Sequence, residues 1–201
     1  MKLKALAVLG TAALALGACN QKPDAEMQQL ADRIAVEDLI TDYYEHFGGS
    51  QNEDFAKYYT EDASFDVNGL VYKGHKEIVK LYDDLGQEPD NAAQGGTFHM
   101  LLTNPIVHVN GDTATMKLFW TGVMNDKIDA PPHLVEQGRE YDLLVKQDGR
   151  WLIKKRVVVA DSGLPQMFKA TYTPRMDYDV TKEDAPAVPA TSSAVSETPA
   201  E

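Results

Sequence analysis

The sequence has a single cysteine among its 201 residues and few positive charges. One cysteine cannot form a disulfide within the chain, so packing and hydrogen bonds must hold the fold. Nineteen Lys and Arg residues stand against 31 Asp and Glu residues, which gives a net charge of -12. Proteins that bind nucleic acid neutralise its phosphates with Lys and Arg, so this balance argues against a nucleic-acid partner.

A positively charged start and a short apolar run open the chain. Lys2 and Lys4 precede residues 5–18, a run that is too short to cross a bilayer as a helix. This is the layout of a secretory signal peptide over residues 1–18. The run ends in LGAC at residues 16–19, which resembles the lipobox of bacterial lipoproteins. An ordinary signal peptide with a chance cysteine is the alternative.

The lipobox resemblance implies that Cys19 is the lipidation site and that residues 19–26 are a lipidated tether. Asn20 follows the cysteine, and by the same resemblance this implies a periplasmic protein anchored in the outer membrane. Residues 181–201 contain three Pro and no aromatic residue, too little apolar surface to offset the entropy of ordering. We expect a disordered tail there and one domain over residues 27–180.

Apolar spacing predicts three helices in the first half of this domain. The first runs from Met27 to Phe47, because apolar residues recur at three- and four-residue intervals on one face, at Val36, Ile40, Tyr43 and Phe47. Ser50 and Glu53 have the spacing of a capping box, which predicts a short second helix. The third begins at Gly74 and ends at Gly86.

Alternating apolar residues predict strands in the second half, after a polar loop at residues 87–96. The expected strands are residues 63–67 and 70–72 between the second and third helices, then 97–109, 113–124, 139–146 and 151–159. Asn68-Gly69 and Asp148-Gly149 are dipeptides that form tight hairpin turns. Helices followed by long antiparallel strands predict an α+β domain, with helices on one face of a curved sheet.

Several segments together carry a resemblance to a known family. They are the helix order above, FHM at residues 98–100, NPI at 104–106, NGDTA at 110–114 and DGRW at 148–151. Over residues 27 to about 162 the chain resembles a SnoaL-like domain of the nuclear transport factor two superfamily, which includes scytalone dehydratase and a bile-acid dehydratase. The resemblance implies a cone-shaped fold with a pocket at its open end. Members differ widely in activity, so the fold alone does not give the function.

Two residues are candidate catalysts by this resemblance. His99 lies where the dehydratases carry a histidine for proton transfer, and a histidine that titrates near neutrality suits a general acid or base. A buried histidine with a structural partner is the alternative. Tyr43 matches a functional tyrosine of the bile-acid dehydratase, or else it is a core aromatic. Five further residues are candidates for ligand binding: Tyr44, Tyr72, Trp120, Arg139 and Glu140.

The sequence also departs from the catalytic pattern. Many active members have Asp where this chain has Gly48, and scytalone dehydratase has a second histidine where this chain has Met124. Its asparagine on the next strand corresponds to Glu140. Because Tyr141, Leu143 and Val145 alternate as a buried set, a surface position for Glu140 is the favoured interpretation. Asp42 is expected in solvent.

Three functions therefore remain open. The first is a lipid-anchored domain that binds a small, largely apolar ligand in its cone. The second is a cofactor-independent lyase or isomerase that uses His99 and Tyr43. The third is an interaction module that dimerises through an outward apolar sheet face on the fourth and last strands. No metal-binding spacing or phosphate-binding loop occurs, so no cofactor is implied.

Overall fold

The computed structural model describes residues 24–47, 52–87, 97–182 and 188–189. The signal peptide, Cys19 and its lipobox, Gly48, Ser50, most of the polar loop and most of the predicted tail lie outside the described residues. The remaining predictions are compared with the structure below.

Two α-helices and two 3-10 helices form the helical part of the described chain, and the second 3-10 helix is Gln166–Phe168 near its end. Helix α1 spans Ala25–Glu45, and Asp24 caps it by accepting a hydrogen bond from the Met27 backbone N–H at 2.8 Å. The predicted second helix is a 3-10 helix, Asn52–Tyr58. Helix α2 spans Gly74–Gln87, as predicted to within a residue at its end. The predicted short second helix is therefore present, in the 3-10 form.

Seven strands form one curved sheet in the described residues. They are β1 (Tyr59–Val67), β2 (Leu70–Lys73), β3 (Thr97–Asn110), β4 (Thr113–Asn125), β5 (His133–Gln147), β6 (Arg150–Ser162) and β7 (Val188–Pro189). Their order across the sheet is β3-β4-β5-β6-β1-β2-β7. Pairing is antiparallel except between β1 and β6 and between β2 and β7. The α+β class is confirmed, and β5 begins earlier than predicted.

The predicted hairpin turns adopt the backbone conformation that their residues favour. Asn68 and Gly69 have φ values of 52° and 92°, and Asp148 and Gly149 have values of 49° and 77°. Positive φ at both central positions matches the right-handed twist of paired strands, which is why Asn-Gly and Asp-Gly are the common choices. These turns set the register of β1 with β2 and of β5 with β6.

Both faces of the sheet are covered near β5 and β6. Helices α1 and α2 pack on the concave face over the main core, which includes Val36, Ile40 and Leu81. On the other face, Tyr141 and Val157 pack with Val180 from the chain that follows β6. The outer face of the last long strand, expected to be available to a second copy, is thus covered by the chain's own C-terminal segment.

Candidate functional site

The structure places His99 on the outer face of strand β3. His99 is exposed, while Phe98 and Met100 on either side are half-buried towards the core. The Phe98 ring lies 6.4 Å from the ring of Phe47 at the end of the α1 segment. Successive side chains of a strand point to opposite faces, so His99 points away from the concave face.

Tyr43 lies on the other side of the sheet from His99. It is 1% exposed, and its hydroxyl hydrogen-bonds with that of Tyr82 on α2. Its ring packs against Phe55 with the centroids 5.1 Å apart. The two residues predicted as a catalytic pair therefore do not share a site. Asp42, expected in solvent, is exposed.

Glu140 is fully buried on the concave face, so the favoured surface interpretation was wrong. Its exposed fraction is 0%, and that of its neighbour Tyr141 is 3%. The prediction assumed that one face of β5 meets solvent. Because Tyr141 packs under the C-terminal segment and Glu140 packs under α1, both faces of this strand are buried.

Glu140 belongs to a charged cluster with no exposed surface. Arg156 on β6 donates from Nε to Oδ1 of Asp142 at 2.8 Å, and its Nη2 lies 3.1 Å from Oε1 of Glu140. All three side chains are 0% exposed. Burying charge is expensive unless the charges are paired and hydrogen-bonded, which the adjacent strands achieve by placing the arginine between two carboxyls.

Burial is the main influence on the pKa of Glu140. It raises the pKa well above the usual value, while Arg156 opposes this effect and Asp142 adds to it. The single positive charge of Arg156 balances one negative carboxylate. When Asp142 is ionised and Glu140 is protonated, the cluster has a net charge of zero. The cluster therefore holds a carboxyl group that keeps its proton to higher pH than an exposed glutamate does.

Tyrosine side chains enclose this cluster. Tyr44 donates its hydroxyl hydrogen to Oε2 of Glu140. Cζ of Arg156 lies 4.1 Å from the centroid of the Tyr43 ring, a cation–π arrangement, and Nη1 donates to the Tyr59 hydroxyl at 3.4 Å. Burial raises the pKa of Tyr43, Tyr44 and Tyr59. Each hydroxyl therefore keeps its proton and remains a hydrogen-bond donor.

Trp120 lies beside the same cluster. A Cβ atom at Gly138 would overlap its indole ring, so the ring covers this glycine of β5. Gly138 lies between Glu136 and Glu140 on one strand face. Among the described residues, Trp120 Nε1 and Glu140 Oε1 are buried without a hydrogen-bond partner, although the latter atom is ion-paired with Arg156.

Glu136 extends the acidic row along β5. Burial raises its pKa to about 7. A Cβ atom at Gly122 on β4 would lie 2.6 Å from Cγ of Glu136, so the glycine leaves room for this side chain. Glu136, Asp142 and Arg156 were not among the predicted site residues. Glu136, Glu140 and Asp142 are four and two positions apart, and this even spacing, which puts them on one strand face, was a signal that could have identified the carboxyls.

The other predicted ligand-binding residues have different surroundings. Tyr72 is 3% exposed in the core, and burial raises its pKa to about 12. Arg139 faces away from the cluster, where Nε lies 3.0 Å from a carboxylate oxygen of Asp161. Tyr44 and Trp120 thus remain near Glu140, whereas Arg139 is committed to the opposite face. Within the described ranges, no three side chains of metal-binding type gather.

An open cleft lies outside the charged cluster, between the first half of α1 and strand β3. Its volume is about 370 Å³. It is lined by Glu26, Gln29, Leu30, Arg33, Val107, His108 and Val109. None of these residues belongs to the cluster around Glu140.

Comparison with known proteins identifies related folds. A model of the SnoaL-like domain matches residues 28–157. A nuclear transport factor two-like protein of Novosphingobium aromaticivorans, with a cystatin-like fold, has a TM-score of 0.59 and 21% identity over 73% of this chain and 90% of its own. No curated protein matches the sequence.

Two further solved structures have names that suggest chemistry. A candidate scytalone dehydratase from the same organism has 17% identity and a TM-score of 0.56, over 79% of this chain and 99% of its own. ActVI-ORFA of Streptomyces coelicolor has 16% identity and a TM-score of 0.57, over 65% and 98%. At such low identities the likeness shows the fold alone.

Proposed function

Because the chain belongs to the SnoaL-like domain family, we propose that it binds a small, largely apolar molecule on the concave face, beside Trp120 and Glu140. Trp120 Nε1, a buried donor without a hydrogen-bond partner, carries this proposal. Glu140 Oε1 also lacks a hydrogen bond, although it lies 3.1 Å from Nη2 of Arg156. Nearly all buried polar groups in proteins have hydrogen-bond partners, and a ligand can supply the missing ones. A ligand with one acceptor for the indole N–H and one donor for the carboxyl oxygen satisfies both.

The surroundings favour an apolar ligand body. Phe47, Met100 and Leu102 are half-buried and pack against the core, and the ring of half-buried Phe98 lies 6.4 Å from that of Phe47. Ligand sites are mostly apolar, with a few polar groups that fix orientation. The carboxyl group of Glu136, which is ionised above its pKa of about 7, disfavours an anionic ligand, because like charges in a buried site repel each other.

Binding is tested by thermal shift with a panel of neutral aromatic hydroxyketones and by native mass spectrometry of the purified protein. The matched variants are Trp120→Phe and Trp151→Phe. Losing one hydrogen bond should weaken binding about fivefold in Trp120→Phe. Trp151→Phe should not change affinity, since the Trp151 N–H already donates to Asp32 at 3.1 Å. Equal affinities in the two variants would remove Trp120 from the site.

A second candidate function is proton transfer without a cofactor. It is favoured by the hydrogen bond from Tyr44 to Glu140, whose pKa is raised by burial. Such a pair has the chemistry of a lyase or isomerase site, with the carboxyl group as general acid and the tyrosine as the hydrogen-bond donor that orients it. In this version His99 has no part in the reaction, since it faces away from the pair.

We further propose that the domain is exported and held at the outer membrane by acylated Cys19. The charged start, the short apolar run and LGAC at residues 16–19 support this location. None of the described helices is long and apolar enough to cross a bilayer. A homodimer remains a further proposal, supported by Leu101, which is 51% exposed on edge strand β3.

A further inference from the structure

The first half of α1 has a second apolar face that the domain does not cover. Met27, Leu30 and Ile34 are 57%, 49% and 49% exposed. Their spacing of three and four residues places them in one stripe, here called the outer stripe. At 100° per residue this stripe lies opposite the face that buries Val36 and Ile40. The helix therefore has apolar residues on both sides in this region.

The apolar character of this face stops after Ile34. Further along the same side of α1 the residues are acidic and exposed, at Asp38, Asp42 and Glu45. An apolar surface limited to the first turns of a helix, followed by negative charge, fits a partner that is apolar at one end and contacts only the beginning of the helix.

The predicted anchor lies close to the outer stripe. Cys19 precedes Asp24, the cap of α1, by five positions. A fully extended chain spans at most about 3.6 Å per residue, so the helix begins within about 18 Å of the acylated residue. The lipid surface is thus always within reach of Met27, Leu30 and Ile34.

We propose that the outer stripe docks on the bilayer surface, with α1 lying in the plane of the interface. Interfacial helices bury an apolar face at the boundary between headgroups and acyl chains while their polar face stays in water. Here the opposite face of α1 is bound to the sheet instead. Docking places α1 between the membrane and the sheet and fixes the orientation of the domain.

The cleft beside α1 extends this surface towards the sheet. Leu30 lies in both the outer stripe and the cleft, where Val107 and Val109 of β3 form the far side. Arg33 also lines the cleft and has a side chain that is 54% exposed. Its Nε is paired with a carboxylate oxygen of Glu37 at 3.0 Å, so this part of the surface is polar.

The proposal rests on the lipid anchor of the proposed function and is tested on the full-length protein. The acylated protein is purified and placed in vesicles of phosphatidylethanolamine and phosphatidylglycerol. Ile34→Cys and the matched control Glu45→Cys each carry one spin label, since Cys19 is the only native cysteine and its sulfur is acylated. Both positions are exposed and lie on the same side of α1, so neither substitution disturbs the core.

Docking predicts that the label at position 34 meets oxygen more often, and a water-soluble nickel chelate less often, than the label at position 45. We expect a contrast of at least about fivefold in the ratio of the two collision rates. Equal ratios with an acylated protein overturn the docking alone. Close dipolar coupling between labels at position 34 overturns it in favour of a second copy. A protein mass without acyl chains overturns both the anchor and the docking.

Discussion

Arg156 and Glu140 form an ion pair in which neither side chain has any exposed surface. Nη2 and Oε1 are 3.1 Å apart, on paired strands of the concave face. The same arginine also binds Asp142, so one cation serves two carboxyls. The contact stabilises the core and opposes the effect of burial on the pKa of Glu140.

Removing the arginine should destabilise the domain strongly. Arg156→Leu leaves two buried carboxyl groups without their cation, and breaking such a pair costs about 3–5 kcal/mol. Arg33→Leu is the matched control, because Arg33 is paired with Glu37 on the helix surface and should cost at most about 0.5 kcal/mol. Urea unfolding measures both. A cost below that of the surface pair would show that the buried cluster does not depend on Arg156.

Glu136 should make the domain less stable as the pH rises. Its pKa is raised from 4.5 to about 7 in the folded protein, so the folded state holds a proton that the unfolded state has lost in this interval. The contribution of Glu136 to the free energy of unfolding is fully present below pH 4.5 and is lost as the pH rises to about 7.

Unfolding experiments across this pH range test the assignment. Glu136→Gln should reduce the decline between pH 4.5 and about 7, because the amide does not titrate, whereas Glu140, whose pKa is also raised, still does. Glu61→Gln replaces an exposed carboxylate on β1, so this variant should keep the same decline in stability as the wild-type protein. An unchanged pH profile in Glu136→Gln would mean that another group causes the dependence.

Any turnover by this domain should depend on Glu140 and not on His99. Glu140→Gln removes the acid while keeping the shape of the side chain, and losing a general acid or base costs at least about 10²-fold in rate. Tyr44→Phe should also slow the reaction, because it removes the hydroxyl that donates to Glu140. The measurement is the steady-state rate of each folded variant with a hydroxyketone from the panel that the wild-type protein converts.

His99→Ala is the comparison variant for that experiment. The imidazole is exposed on the outer face of β3, so we expect the rate to stay within about twofold of the wild type. If His99→Ala loses as much activity as Glu140→Gln, the reaction does not take place on the concave face.

Membrane attachment should depend on the sulfur atom of Cys19. Cys19→Ala removes the thiol that receives the lipid, so the protein should lose incorporated palmitate and move from the membrane fraction to the soluble fraction. Asn20→Asp should keep the acyl chains and change the membrane in which the protein is found. Palmitate labelling of Cys19→Ala at the wild-type level would contradict the lipobox assignment.

The elements of this fold follow closely from local patterns. Helix α2 and the turns at Asn68-Gly69 and Asp148-Gly149 occur where the sequence indicates them. Each of these elements depends only on residues that are close together in the sequence, so the sequence alone is enough to predict it. The 3-10 helix Asn52–Tyr58 is the exception. Seven residues are too few for apolar spacing to distinguish an α-helix from a 3-10 helix.

The position of His99 was also partly available from the sequence. Phe98, Met100 and Leu102 alternate with it, which places the apolar residues on one face and the imidazole on the other. The family resemblance suggested a catalytic role, whereas the alternation indicated the outer face. The exposed position of His99 agrees with the alternation, because successive side chains of any strand point to opposite faces.

The burial of Glu140 could be decided only by the tertiary structure. Alternation shows that Glu140 and Tyr141 point in opposite directions, and the sequence by itself determined that much. It does not show that α1 covers one face while the chain around Val180 covers the other. Those contacts join residues far apart in sequence, so only the folded chain determines which carboxyl leaves water and which cation lies beside it.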